Sequence, residues 1–293
     1  VCPVFFEQLL NGLTMGAIYA LIALGYSMVY GILKIINFAH GDIFMLGTFI
    51  ALTLVKVLHM PFVPALLLSM FIVAIVGMII ERFAYRPLRM ADRMAPLLSA
   101  LGVSIFLSNL AQLIWGTSTH PFPSVLDIRT IKIGQVDINN LQIYILVMSL
   151  ALMAILQIIV KKSSWGVAMR ATSYNKDNAR LMGINVDRVI GLTFGVGSAL
   201  ATAAGVMVGI YYDAVYPTMG YSAGLKAFTA AVLGGIGSIP GAMVGGILLG
   251  VFENFGAAYI SSGYRDAIAF SILILVLLVK PSGLFGKHYQ QKV

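Results

Sequence analysis

The sequence predicts an all-α fold: a polytopic helical membrane protein of about eight membrane segments, with broken or re-entrant helices and the hint of an internal repeat. Three observations lead there. Of the 293 residues, 59% are hydrophobic and only 10% charged, with a mean hydropathy of +0.93. A soluble domain carries about 25% charged residues; so few charges cannot coat a globule of this size, although they can cover the loops of a bundle in lipid. Second, the apolar residues fall into stretches at 8–30, 40–58, 62–80, 95–115, 141–160, 189–212, 225–256 and 265–280, against the roughly 20 residues that a spanning helix needs. The loops between them leave no room for a soluble domain, so residues 1–293 read as one transmembrane domain. Third, the net charge of +8 sits in short loops between apolar segments, which fits the positive-inside rule and disfavours a nucleic-acid partner.

Those loops orient the chain. Arg82, Arg86, Arg89 and Arg93 form the first basic loop; Lys161, Lys162, Arg170, Lys176, Arg180 and Arg188 fall in the second; Lys280, Lys287 and Lys292 mark the end of the chain. All three are expected on the cytoplasmic side. The loop 117–140 balances Arg129 and Lys132 against Asp127 and Asp137, contains Pro121 and Pro123, and reads as periplasmic. Parity then fails unless one of the last three segments crosses twice. The long segment 225–256 is interrupted by Gly234-Gly235-Ile236-Gly237-Ser238-Ile239-Pro240-Gly241, so it is expected to enter, break there and return. Arms of roughly 13 and 18 residues would reach about 20 and 27 Å. The same counting puts the N-terminus outside, unless a re-entrant piece near 31–40 intervenes. Val1 to Leu10 lacks a basic n-region and a small-residue cleavage site, so the first helix is expected to act as its own insertion signal.

Broken helices are the informative feature, because unpaired backbone inside a bilayer is tolerated only where protein or a water-filled cavity satisfies it. Two candidates stand out: Gly31 to Asp42, which contains Asn37, Phe38, Ala39, His40 and Gly41, and the Gly234 to Gly241 turn. One lies in each half of the chain, which suggests a repeat. Asn37, His40 and Asp42 crowd an otherwise apolar stretch, and an ionisable group at the bilayer centre costs at least about 2.5–3.5 kcal/mol on insertion scales. They read either as a polar lining on a substrate path or as a self-satisfied turn with Asn37 capping the next helix; a proton relay through His40 is a third reading. Glycines at four-residue spacing, such as Gly12/Gly16, Gly205/Gly209 and Gly246/Gly250, suit close helix packing within the subunit or at a subunit interface.

The loop 161–188 has the pattern of a short amphipathic helix. Ala168, Ala171 and Ala179 are small, Leu181 and Met182 apolar, and Gly183 ends it. Such a helix docks into a groove on a soluble partner or lies on lipid headgroups. No P-loop, no H-E-x-x-H and no Cys/His cluster is present, and Cys2 is the only cysteine. The chain itself is therefore expected to bind no ATP by a P-loop, no metal and no cofactor. An ion-coupled secondary transporter would want a carboxylate or histidine array at mid-membrane, for which the candidates are few: Asp42, with Glu253 and Asp213 expected nearer the surface; a membrane hydrolase would want a nucleophile–base pair.

Three stretches carry a resemblance: Gly25-Tyr26-Ser27-Met28-Val29-Tyr30-Gly31-Ile32 with Ile36-Asn37-Phe38-Ala39-His40-Gly41; Gly224 to Ala242 around Gly234-Gly235-Ile236-Gly237-Ser238-Ile239-Pro240-Gly241; and Lys280-Pro281-Ser282-Gly283-Leu284-Phe285-Gly286. Together they resemble LivH-type permease subunits of bacterial ABC importers for branched-chain amino acids, over essentially the whole chain. The resemblance implies a non-enzymatic permease domain in the bacterial inner membrane, surrounded by lipid and forming half of a translocation pathway. It implies four kinds of contact: a homologous LivM-type permease, two cytoplasmic ABC ATPases that bind the ATP and Mg, a periplasmic amino-acid-binding protein, and leucine, isoleucine, valine or a related amino acid as cargo. Relatives of the family carry urea, amides or aromatic acids. Asn37, Phe38, His40, Gly41 and Asp42, with Gly234, Gly235, Gly237, Ser238, Pro240 and Gly241, would line or gate the path. Arg170, Ala171, Asn178, Arg180, Leu181, Met182 and Gly183 would form the ATPase-coupling helix, similar in position to the EAA loop of other importers but without its Glu-Ala-Ala.

Overall fold

The computed structural model describes residues 2–89, 91–92, 94–123, 129–133 and 136–286. Arg93, Asp127, Lys287 and Lys292 lie outside them. Eleven α-helices are present among the described residues: α1 Cys2–Leu33, α2 His40–Lys56, α3 Phe62–Ile80, α4 Met94–Trp115, α5 Asn140–Lys162, α6 Ser164–Tyr174, α7 Lys176–Leu181, α8 Val186–Tyr212, α9 Met219–Gly234, α10 Ile239–Tyr259 and α11 Arg265–Val279. Seven of them, extended by short flanking turns, are long and apolar enough to cross a membrane: α1, α3, α4, α5, α8, α10 and α11. α2 and α9, with 17 and 16 residues, reach only about 24–26 Å. The loop expected to be periplasmic also holds a hairpin, β1 Thr130–Ile133 with β2 Val136–Asn139, in a register that sets Lys132 opposite Asp137.

The polarity of burial is that of a bundle in lipid. α1 runs through the centre, with Ile18 and Ala20 to Leu24 wholly buried. On α11, by contrast, Ile274, Leu275 and Leu278 are exposed, as lipid-facing side chains can be at no cost. Close contact is made by glycine ridges. Gly12 and Gly16 of α1 lie on Val251 and Ile247 of α10, Gly205 and Gly209 of α8 on Thr48 of α2, and Gly250 on Gly16. The four-residue glycine spacing therefore serves packing within the subunit.

Two halves repeat. α1 packs chiefly on α10, and α8 chiefly on α3; α1 touches α9 as α8 touches α2; α4 leans on α2 as α11 leans on α9. α1–α4 thus correspond to α8–α11. Gly12, Gly16, Ala20 and Gly31 of α1 meet Val251, Ile247, Gly246 and Gly237 in antiparallel order, whereas Gly47 and Thr48 of α2 follow Thr202 and Gly205 of α8 in parallel. α8 starts by Asp187 beside Arg89, at the basic end where α1 finishes by Lys34, and ends with Tyr211 on Asn11 near the start of α1, so α8 runs opposite to α1 and the repeat is inverted. This corrects the pairing expected from the glycine-rich breaks. The counterpart of 34–39, which precedes α2, is the linker 213–218 before α9. The 235–238 turn corresponds instead to the connection between α2 and α3.

The three basic loops come together at one end of the bundle. Arg86 and Arg89 reach Asp187 at the start of α8, at 2.5 and 2.6 Å, and Arg89 also pairs with the buried Glu81. Lys34, Lys161, Arg170 and Pro281 border one cavity at that end. At the other end His120 and Val215 exchange two backbone hydrogen bonds, and Gln142 holds Asn11. The segment 225–256 breaks as parity requires, but its turn lies at the basic end of the bundle rather than at its centre.

Candidate translocation and coupling sites

Backbone enters the bundle interior at two places. The linkers 34–39 and 213–218 each deliver a short helix whose first turn lies inside, and these first turns meet. Gly41 and Gly220 are in backbone contact, so that a Cβ on either would overlap the other's carbonyl group, and Gly224 is close behind. Only glycine permits two helix N-termini to touch in this way.

His40 and Asp42 flank that contact without forming a pair. His40, 2% exposed, packs edge-on against Tyr26 at 4.8 Å between ring centroids, and its Nε2 has no hydrogen-bond partner. Asp42, 6% exposed, accepts from the Ser104 hydroxyl of α4; among the described residues it meets no cation. Asn37 does not cap α2, as the reading of a self-satisfied turn required. Its side-chain oxygen accepts from the Tyr85 hydroxyl at 2.6 Å, while its main-chain carbonyl accepts from His40 N–H; the N-cap position is Ala39, which has no side chain able to cap. Phe38 is half-buried against the core. Polar residues here satisfy groups on other helices rather than one another.

The second expected gate is a tight turn. Gly235 and Gly237 have φ of 102° and 91°, a region that side chains other than glycine resist. Ser238 caps α10 by accepting from Gly241 N–H at 3.2 Å, and Pro240 fits the first turn of that helix, where no N–H is needed. Gly234 abuts Gly241. The last carbonyls of α9 are taken up by the end of the chain: Leu284 and Phe285 donate to Leu233 and Gly234, both at 2.9 Å. The Lys280–Gly286 motif thus clamps the turn.

The loop 161–188 forms two helices joined at Asn175. Ser163 caps α6, and Asn175 caps α7 by accepting from Asp177 and Asn178. Gly183, at φ 80°, ends α7 with bonds from Gly183 and Ile184 N–H to the Arg180 and Ala179 carbonyls. Ala179 is buried, and Ala168 and Ala171 pack inward, so the small residues face the bundle. Tyr174, Leu181 and Met182 are instead 81, 85 and 82% exposed, and Arg170, Asn178 and Arg180 are exposed with them. Burial, then the charges of Arg89, Arg180 and Lys34, lowers the pKa of Lys176 below its ordinary value.

Sequence reasoning missed one charged cluster. Lys226 of α9 lies 2.9 Å from Glu253 of α10 and 2.8 Å from Asp266 of α11. Both Lys226 and Glu253 are buried, so Glu253 is not the near-surface residue expected. The available signal was Lys226 itself: a lysine at the edge of the apolar arm 225–256 seeks a partner, and the returning arm carries a single acid, Glu253.

An inverted helical repeat with short helices meeting inside, glycine-clamped turns and a rigid polar platform at one end defines a membrane permease. A family model described as the permease component of branched-chain amino acid transport systems matches residues 8–277. The permease BraD of Pseudomonas aeruginosa, named as part of a high-affinity branched-chain amino acid transport system, is 46% identical over 99% of this chain and 98% of its own. LivH of Escherichia coli, with the same description, is 44% identical over 99% and 98%. Among solved structures, PsaBC from Streptococcus pneumoniae aligns with a TM-score of 0.53 over 96% of this chain and 97% of its own, at 12% identity, a likeness of fold alone. The chain belongs to the family of permease components of branched-chain amino acid ABC transport systems. It is a multi-pass membrane subunit of a transport system, not an enzyme.

Proposed function

We propose that this subunit carries leucine, isoleucine or valine into the cytoplasm as one half of a translocation pathway, the other half being a homologous LivM-type permease. A periplasmic binding protein delivers the amino acid, and two cytoplasmic ATPases, which bind ATP and Mg, bias the permease between its outward- and inward-open states. The basic end of the bundle is then cytoplasmic, as its Lys and Arg content requires. The α2–α9 junction is the gate. Asp42, an interior carboxylate that meets no cation among the described residues, offers a charge to the ammonium of a passing zwitterion.

One observation carries this reading: Tyr174, Leu181 and Met182 are exposed on a segment capped at Ser163 and Asn175 at the charged end of the bundle. Such a surface suits an apolar groove on a soluble partner. Losing central apolar anchors commonly costs about 2 kcal/mol or more at an interface. Leu181→Asp with Met182→Asp should therefore insert and pair with the second permease normally, yet lose the ATPases on purification and abolish ATP-driven uptake. Retained ATPase and normal uptake would remove this segment from the mechanism. Ala171 packs inward, so Ala171→Arg reports on folding rather than docking.

A further inference from the structure

The register that superposes the two repeats pairs residues at the α2–α9 junction. The spacing between the last residues of α1 and α8, Leu33 and Tyr212, equals that between the first residues of α2 and α9, His40 and Met219. In this register Gly41 corresponds to Gly220, whose backbones touch, and Asp42 corresponds to Tyr221. The two pairs are neighbours in space as well, since the Asp42 nitrogen lies 3.1 Å from the position of a Cβ on Gly220. Their surroundings differ. Asp42 is 6% exposed and accepts from Ser104 of α4. Tyr221 is 74% exposed, and among the described residues no hydrogen bond or ring contact holds its side chain.

Tyrosine in a membrane protein ordinarily stands at the bilayer surface with its hydroxyl in water, or is buried with that hydroxyl bonded. Tyr221 is in the first turn of α9, which the linker 213–218 delivers inside the bundle. An unbonded hydroxyl facing hydrocarbon there is costly, and an aqueous path on the open side of the junction removes the cost. The face that continues from Tyr221 toward Gly234 is apolar. Leu225 and Phe228, one and two turns on, are half-buried, and Phe228 packs edge-on against Tyr26 at 6.2 Å between ring centroids.

We propose that the Tyr221 ring closes the pathway at this junction. It stands across the open side of the Gly41–Gly220 contact and offers an apolar wall to the side chain of the cargo, while Asp42 faces the ammonium. Nothing within the subunit holds the ring, so rotation about χ1 swings it aside between staggered positions and leaves the glycine contact intact. This role rests on the reading of the α2–α9 junction as the gate.

The test uses the assembled transporter in lipid vesicles, with Cys2→Ser as background and a charged, water-soluble methanethiosulfonate as probe. A thiol in apolar surroundings ionises less, and the thiolate is what reacts. Tyr221→Cys should therefore be modified at least about tenfold faster than Leu275→Cys, which is exposed on the lipid-facing side of α11. In vesicles loaded with leucine, without ATP or binding protein, Tyr221→Ala should leak leucine severalfold faster than wild type at unchanged unfolding temperature. Tyr221→Phe, which keeps the ring, should be as tight as wild type. Modification of Tyr221→Cys no faster than that of Leu275→Cys would place the ring against lipid or the second permease; it would overturn the role of Tyr221 and leave the gate reading standing. Rapid modification together with a tight Tyr221→Ala would overturn both, because a wet junction that does not restrain leucine is not the gate. Equal leaks through Tyr221→Phe and Tyr221→Ala would overturn the part given to the ring.

Discussion

The two halves of the bundle handle interior charge in opposite ways. In the second half Lys226 is tied to Glu253 and Asp266, so that α9, α10 and α11 are joined by ion pairs. In the first half the buried Glu81 pairs with Arg89 at the basic end, whereas deeper in the bundle α2 carries Asp42, which meets no cation among the described residues and accepts from the Ser104 hydroxyl of α4, and Asn37 accepts from the Tyr85 hydroxyl. Charges removed from water hold helices together only while every partner stays in place, whereas a single hydrogen bond contributes only about 0.5–3 kcal/mol. The comparison teaches how each half is joined: the second by ion pairs, whereas α2 of the first meets α4 through hydrogen bonds, from Ser104 to Asp42 and from Trp115 to Thr53.

The largest effect is expected where the halves meet. Gly220→Val places a side chain into the backbone of Gly41, on which no flexible group can yield. Ordinary overpacking costs about 1–3 kcal/mol, and a clash with main chain exceeds that, so no folded subunit should be recovered from detergent extracts. Gly102→Val is the control, since nothing lies within 4 Å of a Cβ there. Equal yields of the two variants would show that the α2–α9 contact is loose.

Next comes the braced cluster. Glu253→Leu strands Lys226 with only Asp266, which is 63% exposed. The cost should be about 3 kcal/mol, at the low end for breaking a buried pair because Asp266 still neutralises the charge. Adding Lys226→Met should restore most of that loss in thermal unfolding. A double variant no more stable than the single would mean that the ion pairs do not brace the second repeat.

Much of this arrangement is legible from sequence, and the exceptions have physical causes. The break between α9 and α10 follows from parity and from glycines that the structure places at positive φ. The start of α9 at Met219 rather than near 225 does not, because Gly220 and Gly224 look like loop residues until Gly41 is known to press against them. Asn37 followed by His40 and Asp42 has the form of a cap, yet a tertiary partner, Tyr85, claims its oxygen. The repeat was visible only in outline. Glycine-rich breaks look alike wherever backbones touch, and an inverted repeat conserves packing geometry rather than a pattern of letters. Of the coupling segment, the apolar pair Leu181–Met182 and the stop at Gly183 were readable, whereas the inward direction of Ala171 depends on how α6 turns against the bundle.

A smaller change separates the loosely held half from the braced one. Tyr85→Phe leaves the Asn37 oxygen without its partner in a buried setting and should cost about 1–2 kcal/mol in thermal unfolding. Uptake should survive this loss if the linker 34–39 moves anyway. Uptake that vanishes in a folded Tyr85→Phe subunit would instead make this hydrogen bond part of the working gate.

Asp42→Asn is the smallest perturbation of the fold and the sharpest test of the difference between the halves. The amide has nearly the volume of the carboxylate, and its oxygen still accepts from the Ser104 hydroxyl. No ion pair is broken, so stability should change by less than about 1 kcal/mol. Transport is another matter if Asp42 meets the ammonium of the cargo. A hydrogen bond to a charged group contributes about 1–1.5 kcal/mol more than one between neutral groups, which corresponds to roughly a tenfold change in equilibrium. Leucine uptake in reconstituted vesicles should therefore fall about tenfold at unchanged unfolding temperature, with Asp42→Leu lower still. The same neutralisation at Lys226, by Lys226→Met with Glu253→Leu, should leave uptake nearly intact because Lys226 already has carboxylate partners within the bundle. Equal uptake by wild type and Asp42→Asn would return Asp42 to a plain helix-packing role and leave the two halves alike in function though not in construction.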